Sequence, residues 1–198
     1  MRTSKFALIA LVLLIGCGLL ALPARAGFTL TLMQQGPNVV ATGNGAIDLT
    51  GLTSVGFGQG GAGINPAAPV IVTGPAGAVD YDLYLGNFTG PPSFGNGGTT
   101  LADIGSGDRV GFYTFTFLFV PRGYVSDNSL SDTSIYENQT FSTLGVTPGT
   151  YEWTWGVGAD QNFTVQAVPE PSVSVLLVIG ILFTGVGLRQ LRHRSEAA

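Results

Sequence analysis

Side chains able to move protons, hold metals or attack a substrate are sparse in this chain, and most of them are carboxylates. Asp80 and Asp82 stand two residues apart in the alternating stretch Val79–Leu85, so a strand there sets both on one face. A carboxylate-dependent glycoside hydrolase pair or a calcium site uses that arrangement, and so does an ordinary solvated strand face. Asp127-Asn128 with Asp132, and Asp103 with Asp108 across a Gly-Ser-Gly segment, are oxygen-rich. Calcium is the one cofactor these residues suggest, with Asp127 and Asp132 as its candidate ligands, although neither stretch has the full spacing of a known calcium loop. Tyr151, Trp153 and Trp155 share a strand face; they pack as core or stand out as a platform on which sugar rings stack.

What is missing excludes more. The only histidine, His193, lies in the C-terminal basic tail, so the body of the chain offers no imidazole for a catalytic triad or a zinc centre. The only cysteine, Cys17, lies in the N-terminal apolar stretch, which leaves no disulfide or thiolate for the rest. Between Gly27 and Val168 the basic residues are Arg109 and Arg122, against ten carboxylates, a net charge of −8. Such a surface repels nucleic acid and anionic lipid, so neither is expected as a partner. The Gly-rich stretch from Gly56 to Gly63 lacks the buried strand, following helix and lysine of a phosphate loop.

The elements that would carry these residues read as strands. From Gly27 to Val168 apolar residues alternate or cluster in short runs, broken every ten residues or so by Gly, Pro, Asn and Ser. The expected fold is all-β, a single sandwich or jelly-roll-like domain over residues 27–167. Phe28, Leu30 and Leu32 share one face of the first strand. Gln35-Gly36-Pro37 turns the chain, and Asn44-Gly45 marks a second hairpin. Residues 51–63 are expected to form an irregular loop or twisted edge, and residues 90–98 another loop. Residues 109–120 are expected to be one central strand whose inner face is Tyr113, Phe115, Phe117 and Phe119. Residues 126–133 read as a surface loop, 135–144 as further strand, and Phe163, Val165 and Ala167 as the inner face of the last strand.

The ends read as targeting segments. Residues 1–26 have a basic start (Arg2, Lys5), an apolar run and Ala24-Arg25-Ala26, the pattern of a secretory signal peptide cut before Gly27. Leu14-Ile15-Gly16-Cys17 offers a lipobox as the alternative. At the other end, Val168-Pro169-Glu170-Pro171 precedes an apolar run from Val173 to Leu188 that includes Leu176, Leu177, Ile179, Ile181, Leu182, Phe183 and Val186. At ~1.5 Å per residue a helix here spans about 24 Å, short for the ~30 Å hydrocarbon core but workable with local thinning. Arg189, Arg192 and Arg194 follow it, so the positive-inside rule sets the C-terminus in the cytoplasm. A plain tail anchor has the same hydropathy and charge.

Pro169-Glu170-Pro171, the apolar run and the arginine cluster, in that order, resemble the C-terminal sorting signal of the PEP-CTERM proteins of Gram-negative bacteria. The resemblance implies export by the Sec translocon, signal-peptidase cleavage and transient anchoring in the inner membrane. Exosortase would then process the chain near Pro-Glu-Pro. Phe119 to Ser126 and Thr147 to Gly156 are similar to a recurrent subset of that family. The function these readings imply is that of a non-enzymatic cell-surface or extracellular-matrix protein; a carbohydrate-binding module of the exopolysaccharide is the alternative, and a glycoside hydrolase on Asp80 and Asp82 a distant third.

Overall fold

The computed structural model describes residues 27–158 and 160–169. The residues of the proposed leader, with Ala24 and Ala26, lie outside them, as do Glu170, Pro171, the apolar run and the basic tail. Among the described residues no helix is long and apolar enough to cross a membrane.

The chain forms two β-sheets. In sequence order the strands are β1 (Phe28–Gln35), β2 (Asn38–Ala46), β3 (Thr53–Gly60), β4 (Gly63–Asn65), β5 (Val70–Thr73), β6 (Val79–Leu85), β7 (Thr100–Leu101), β8 (Ile104–Gly107), β9 (Val110–Tyr113), β10 (Phe117–Pro121), β11 (Ser129–Tyr136), β12 (Gly149–Thr154) and β13 (Asn162–Val168). One six-stranded sheet runs β12-β13-β1-β2-β11-β8, and a seven-stranded sheet runs β3-β6-β10-β9-β5-β4-β7. The expected all-β class is what the backbone adopts. The sheets meet through their inner faces: Phe112 of the second stacks on Trp153 and Phe163 of the first at 5.0 and 6.0 Å between centroids. Alternation fills this core from β1 (Phe28, Leu30, Leu32), β2 (Val39, Ala41) and β13 (Phe163, Val165, Ala167).

β1 and β13 pair in parallel, Phe28 opposite Phe163 and Met33 opposite Val168. The two ends of the domain therefore leave at opposite poles of the first sheet. β1 and β2 form a hairpin at Gly36 and Pro37, with Gln35 opposite Asn38 and Gly36 at φ +59.

Four local expectations are corrected. Asn44-Gly45 is not a turn: β2 continues through it, and Asn44 pairs with Thr29 on one side and Ser131 on the other. Two neighbouring strands outweigh a local turn preference. Of the loop and the edge expected for residues 51–63, the edge forms: β3 is an eight-residue edge strand paired with β6, its register shifting between Ser54 and Gly56. The polar stretch 126–133 is not all loop. β11 begins at Ser129 and buries Leu130, Asp132, Ser134 and Tyr136 in alternation, and a single helical turn, α1 (Phe141–Leu144), follows instead of further strand.

The fourth correction matters most for function. Residues 109–120 are two strands, β9 and β10, folded back on one another at Thr114 and Phe115, whose φ angles are +45 and +55. The Thr116 amide closes the turn on the Tyr113 carbonyl at 3.1 Å. Two positive φ values match the twist of a tight hairpin. The inner face is then Val110, Phe112, Leu118 and Val120, while Tyr113, Phe117 and Phe119 face out. Apolar residues occupy both parities of this segment, so alternation alone does not choose the face.

Candidate binding face

The outward side chains of the second sheet form an aromatic row. Tyr81 of β6 stacks on Phe119 of β10 with centroids 4.6 Å apart, and Tyr113 of β9 stacks on the other side of Phe119 at 6.1 Å. Diagonal neighbours on adjacent strands lie within reach of one another for large side chains, which is how three strands contribute to one row. Phe119 is held between two rings and is 8 % exposed although it faces outward, whereas Tyr113 is 44 % exposed. The row ends over β3, where glycines make room. A Cβ at position 58 would sit 2.8 Å from Tyr81 Cε2, and at position 60 it would sit 3.5 Å from Cε1. Half-buried Leu83 and exposed Leu85 extend the face along β6, and Val70 and Val72 of β5, aligned with Tyr113 and Gly111, extend it on the far side. No charged side chain belongs to these outward positions of β5, β6, β9 and β10.

Trp153 and Trp155 are not a surface platform. They are 0 % and 5 % exposed, and each indole N–H donates inward, Trp153 Nε1 to the Pro91 carbonyl at 3.0 Å and Trp155 Nε1 to the Asp48 carbonyl at 2.9 Å. Of the row's two tyrosines, exposed Tyr113 sits where the sequence suggested interior, and half-buried Tyr81 stands beside it. The signal that could have found them is their phenol hydroxyls, which favour an aqueous edge, next to the glycines of β3 that Tyr81 overlies.

Asp80 and Asp82 share a face of β6 but have separate tasks. Asp80 Oδ1 accepts from Gln59 Nε2 at 3.2 Å. Asp82 pairs with the Arg122 guanidinium and accepts from the Gly123 amide at 2.8 Å. Burial opposes ionisation of Asp82, but the Gly123 amide and Arg122 outweigh it and hold its carboxyl below the usual range. A carboxylate held ionised is unsuited to be the general acid of a glycosidase. Arg122 is fixed in turn by lying 4.3 Å from the centroid of the Phe57 ring.

The calcium candidates are not brought together. Asp127 is exposed in a turn at φ +68, while Asp132 is 3 % exposed between the sheets. Asp103 and Asp108 accept from the backbone amides of Glu137 and Ser131, each at 2.8 Å. Among the described residues no three His, Cys, Asp or Glu side chains group as a metal site.

The interior holds a second polar group that the sequence did not announce. Arg109, Asp132 and Tyr136 are all buried. Burial pushes the Asp132 carboxyl up to about 7, with Asp108 adding to the rise, and the nearby Thr73 hydroxyl, Gly43 amide and Arg109 opposing it. Burial also raises the Tyr136 phenol and lowers Arg109, the latter against the pull of Asp132.

No protein-family model, no curated protein and no solved structure matches this chain, so the uncharged aromatic face rests on its geometry alone.

Proposed function

We propose that this chain is an exported, non-enzymatic cell-surface or extracellular-matrix protein, processed by exosortase through its C-terminal signal, whose β domain works by binding. The supporting observation is the three-part order of Val168-Pro169-Glu170-Pro171, the apolar run from Val173 to Leu188 and the arginines Arg189, Arg192 and Arg194. That signal follows the fold without a linker, since β13 ends at Val168 and Pro169 is exposed. Proline lacks the amide that would continue a strand ladder, so the sheet stops at the first proline of the signal.

The other end fits the same route. Gly27 packs so closely that a Cβ there would lie 2.1 Å from Asn162 Oδ1. Signal-peptidase cleavage before Gly27 then belongs to the stage before β1 docks. With β1 and β13 parallel, anchoring at Val168 presents the opposite pole away from the membrane. Mass spectrometry of the surface form from an exosortase-positive host should find a C-terminus near Pro171. Recovery of chains intact through Arg194 would reduce the segment to a plain anchor.

A carbohydrate-binding role is favoured by one specific observation, the uncharged row of Tyr81, Phe119 and Tyr113 on an otherwise acidic domain. Aromatic rings offer C–H to π contacts to sugars without needing charge. The partner would be a neutral polysaccharide strand lying across β9, β10 and β6.

A further inference from the structure

Between the sheets, four polar atoms on three buried side chains have no hydrogen-bond partner in the protein: Nε of Arg109, both carboxylate oxygens of Asp132 and the phenol oxygen of Tyr136. The Thr73 hydroxyl and the Gly43 amide approach Asp132 and favour its charged form, but neither makes a well-formed hydrogen bond to its oxygens. Other polar groups nearby are committed. Arg109 Nη1 donates to the Thr73 carbonyl at 3.1 Å, and Nη2 donates to the Pro75 carbonyl and, at 3.1 Å, to that of Gly77. The Thr73 hydroxyl donates to the Val110 carbonyl at 3.2 Å. The Ser134 hydroxyl donates to the Gly74 carbonyl at 3.0 Å and accepts from the Gly74 amide at 3.1 Å. Arg109 and Asp132 feel each other's charge, yet no hydrogen bond joins them.

The carboxylate lies where a side chain has been left out. A Cβ on Gly43 would sit 2.6 and 2.7 Å from the Asp132 oxygens. A buried donor or acceptor without a partner forfeits its hydration, and a charged one forfeits more. Four in one neighbourhood would take a large share of a marginal stability, and an ordered water that satisfies them removes that cost. The Arg109 charge disfavours a metal cation there, and the Asp132 carboxylate disfavours an anion. Water has the right valence: it accepts from Nε–H and donates to a carboxylate or phenol oxygen, and buried waters make about three such bonds.

We propose that Arg109, Asp132 and Tyr136 line an internal hydration site, where one or two long-lived waters join the guanidinium to the carboxylate and the phenol. The site ties β11, which carries Asp132 and Tyr136, to the β5–β6 connection that Arg109 grips through Thr73, Pro75 and Gly77. It braces the two sheets against each other in a domain that has no disulfide to do so.

Tyr136→Phe in the full-length protein tests this by its sign. If water satisfies the phenol, the variant loses a hydrogen bond and Tm falls by ~2–4 °C. If the hydroxyl is bare, deleting it leaves Tm unchanged or raises it, and the proposal is overturned. Oxygen-17 relaxation dispersion of the solvent supplies an independent arm. Long-lived internal water in the wild type, reduced in Tyr136→Phe, supports the site; a wild type without any such water refutes it.

Discussion

In the folded domain burial pushes the Asp132 carboxyl, 3 % exposed, up to about 7 from the 3.8 of an ordinary aspartate. Arg109, Asp108 and Tyr136 are the ionisable groups that bear on it. A carboxyl raised in the folded state contributes stability that is complete below pH 3.8 and lost as pH rises through about 7. Asp48 and Asp82 act in the opposite sense. Their carboxyls are lowered, Asp48 by the Thr50 hydroxyl and amide, so their contribution is lost as pH falls below the ordinary carboxylate range. Asp132→Asn keeps the shape and removes the titration. Between pH 4 and 7.5 the wild type should lose stability relative to this variant by on the order of 4 kcal/mol, or on the order of 10 °C in Tm. Parallel melting curves across that range would reject the assignment. The sequence marked Asp132 only as a calcium candidate in a surface loop, and nothing in Ser131-Asp132-Thr133 marked it as interior. Its neighbours are polar, and burial came from the alternation of β11, which begins at Ser129, six residues before the strand expected from 135.

At the scale of elements, the β9–β10 hairpin decides which side chains are available for binding. A continuous strand would have hidden Tyr113 and Phe119. Folding back at Thr114 and Phe115 turns them out and stacks them with Tyr81 over the glycines of β3. If this face binds a neutral polysaccharide, Tyr113→Ala should cut retention in affinity electrophoresis at least tenfold, since stacked aromatic contacts of ~0.5–1.5 kcal/mol are lost together with buried area. Tm should change little, because Tyr113 is 44 % exposed. Equal retention of wild type and variant would remove the aromatic row as a sugar platform. Trp153 and Trp155 serve as an internal control: both are core, so intrinsic fluorescence should not respond to polysaccharide by direct stacking.

Taken whole, the domain places Arg109 inside and Arg122 outside, and these are the only basic residues between Gly27 and Pro169. Limited trypsin digestion of the native protein should therefore cut within the domain after Arg122 and spare Arg109 until unfolding. An early cut after Arg109 would contradict its burial. The parallel pairing of β1 with β13 adds a long-range feature no local pattern contains: the first and last strands of the domain are neighbours, and both sit beside the hydrophobic centre. It brings the proposed processing points against ordered sheet at opposite poles, close to the fold at both ends.

By itself the sequence determined the all-β class, the absence of imidazole and thiol chemistry from the domain, its acidity, and several strands (β1, β6, β12 and β13) whose alternation leaves one apolar face. These follow from composition and a period of two, both local properties. Only the tertiary structure decided which face of the β9–β10 segment is inside, that Asn44-Gly45 stays in a strand, that the paired tryptophans are core, and that Arg109, Asp132 and Tyr136 meet. Each of those outcomes depends on what lies across the sheet or between the sheets. A segment apolar at both parities, a turn dipeptide flanked by two partner strands, and an acid and a base 23 residues apart acquire their meaning from neighbours that the chain brings together only on folding.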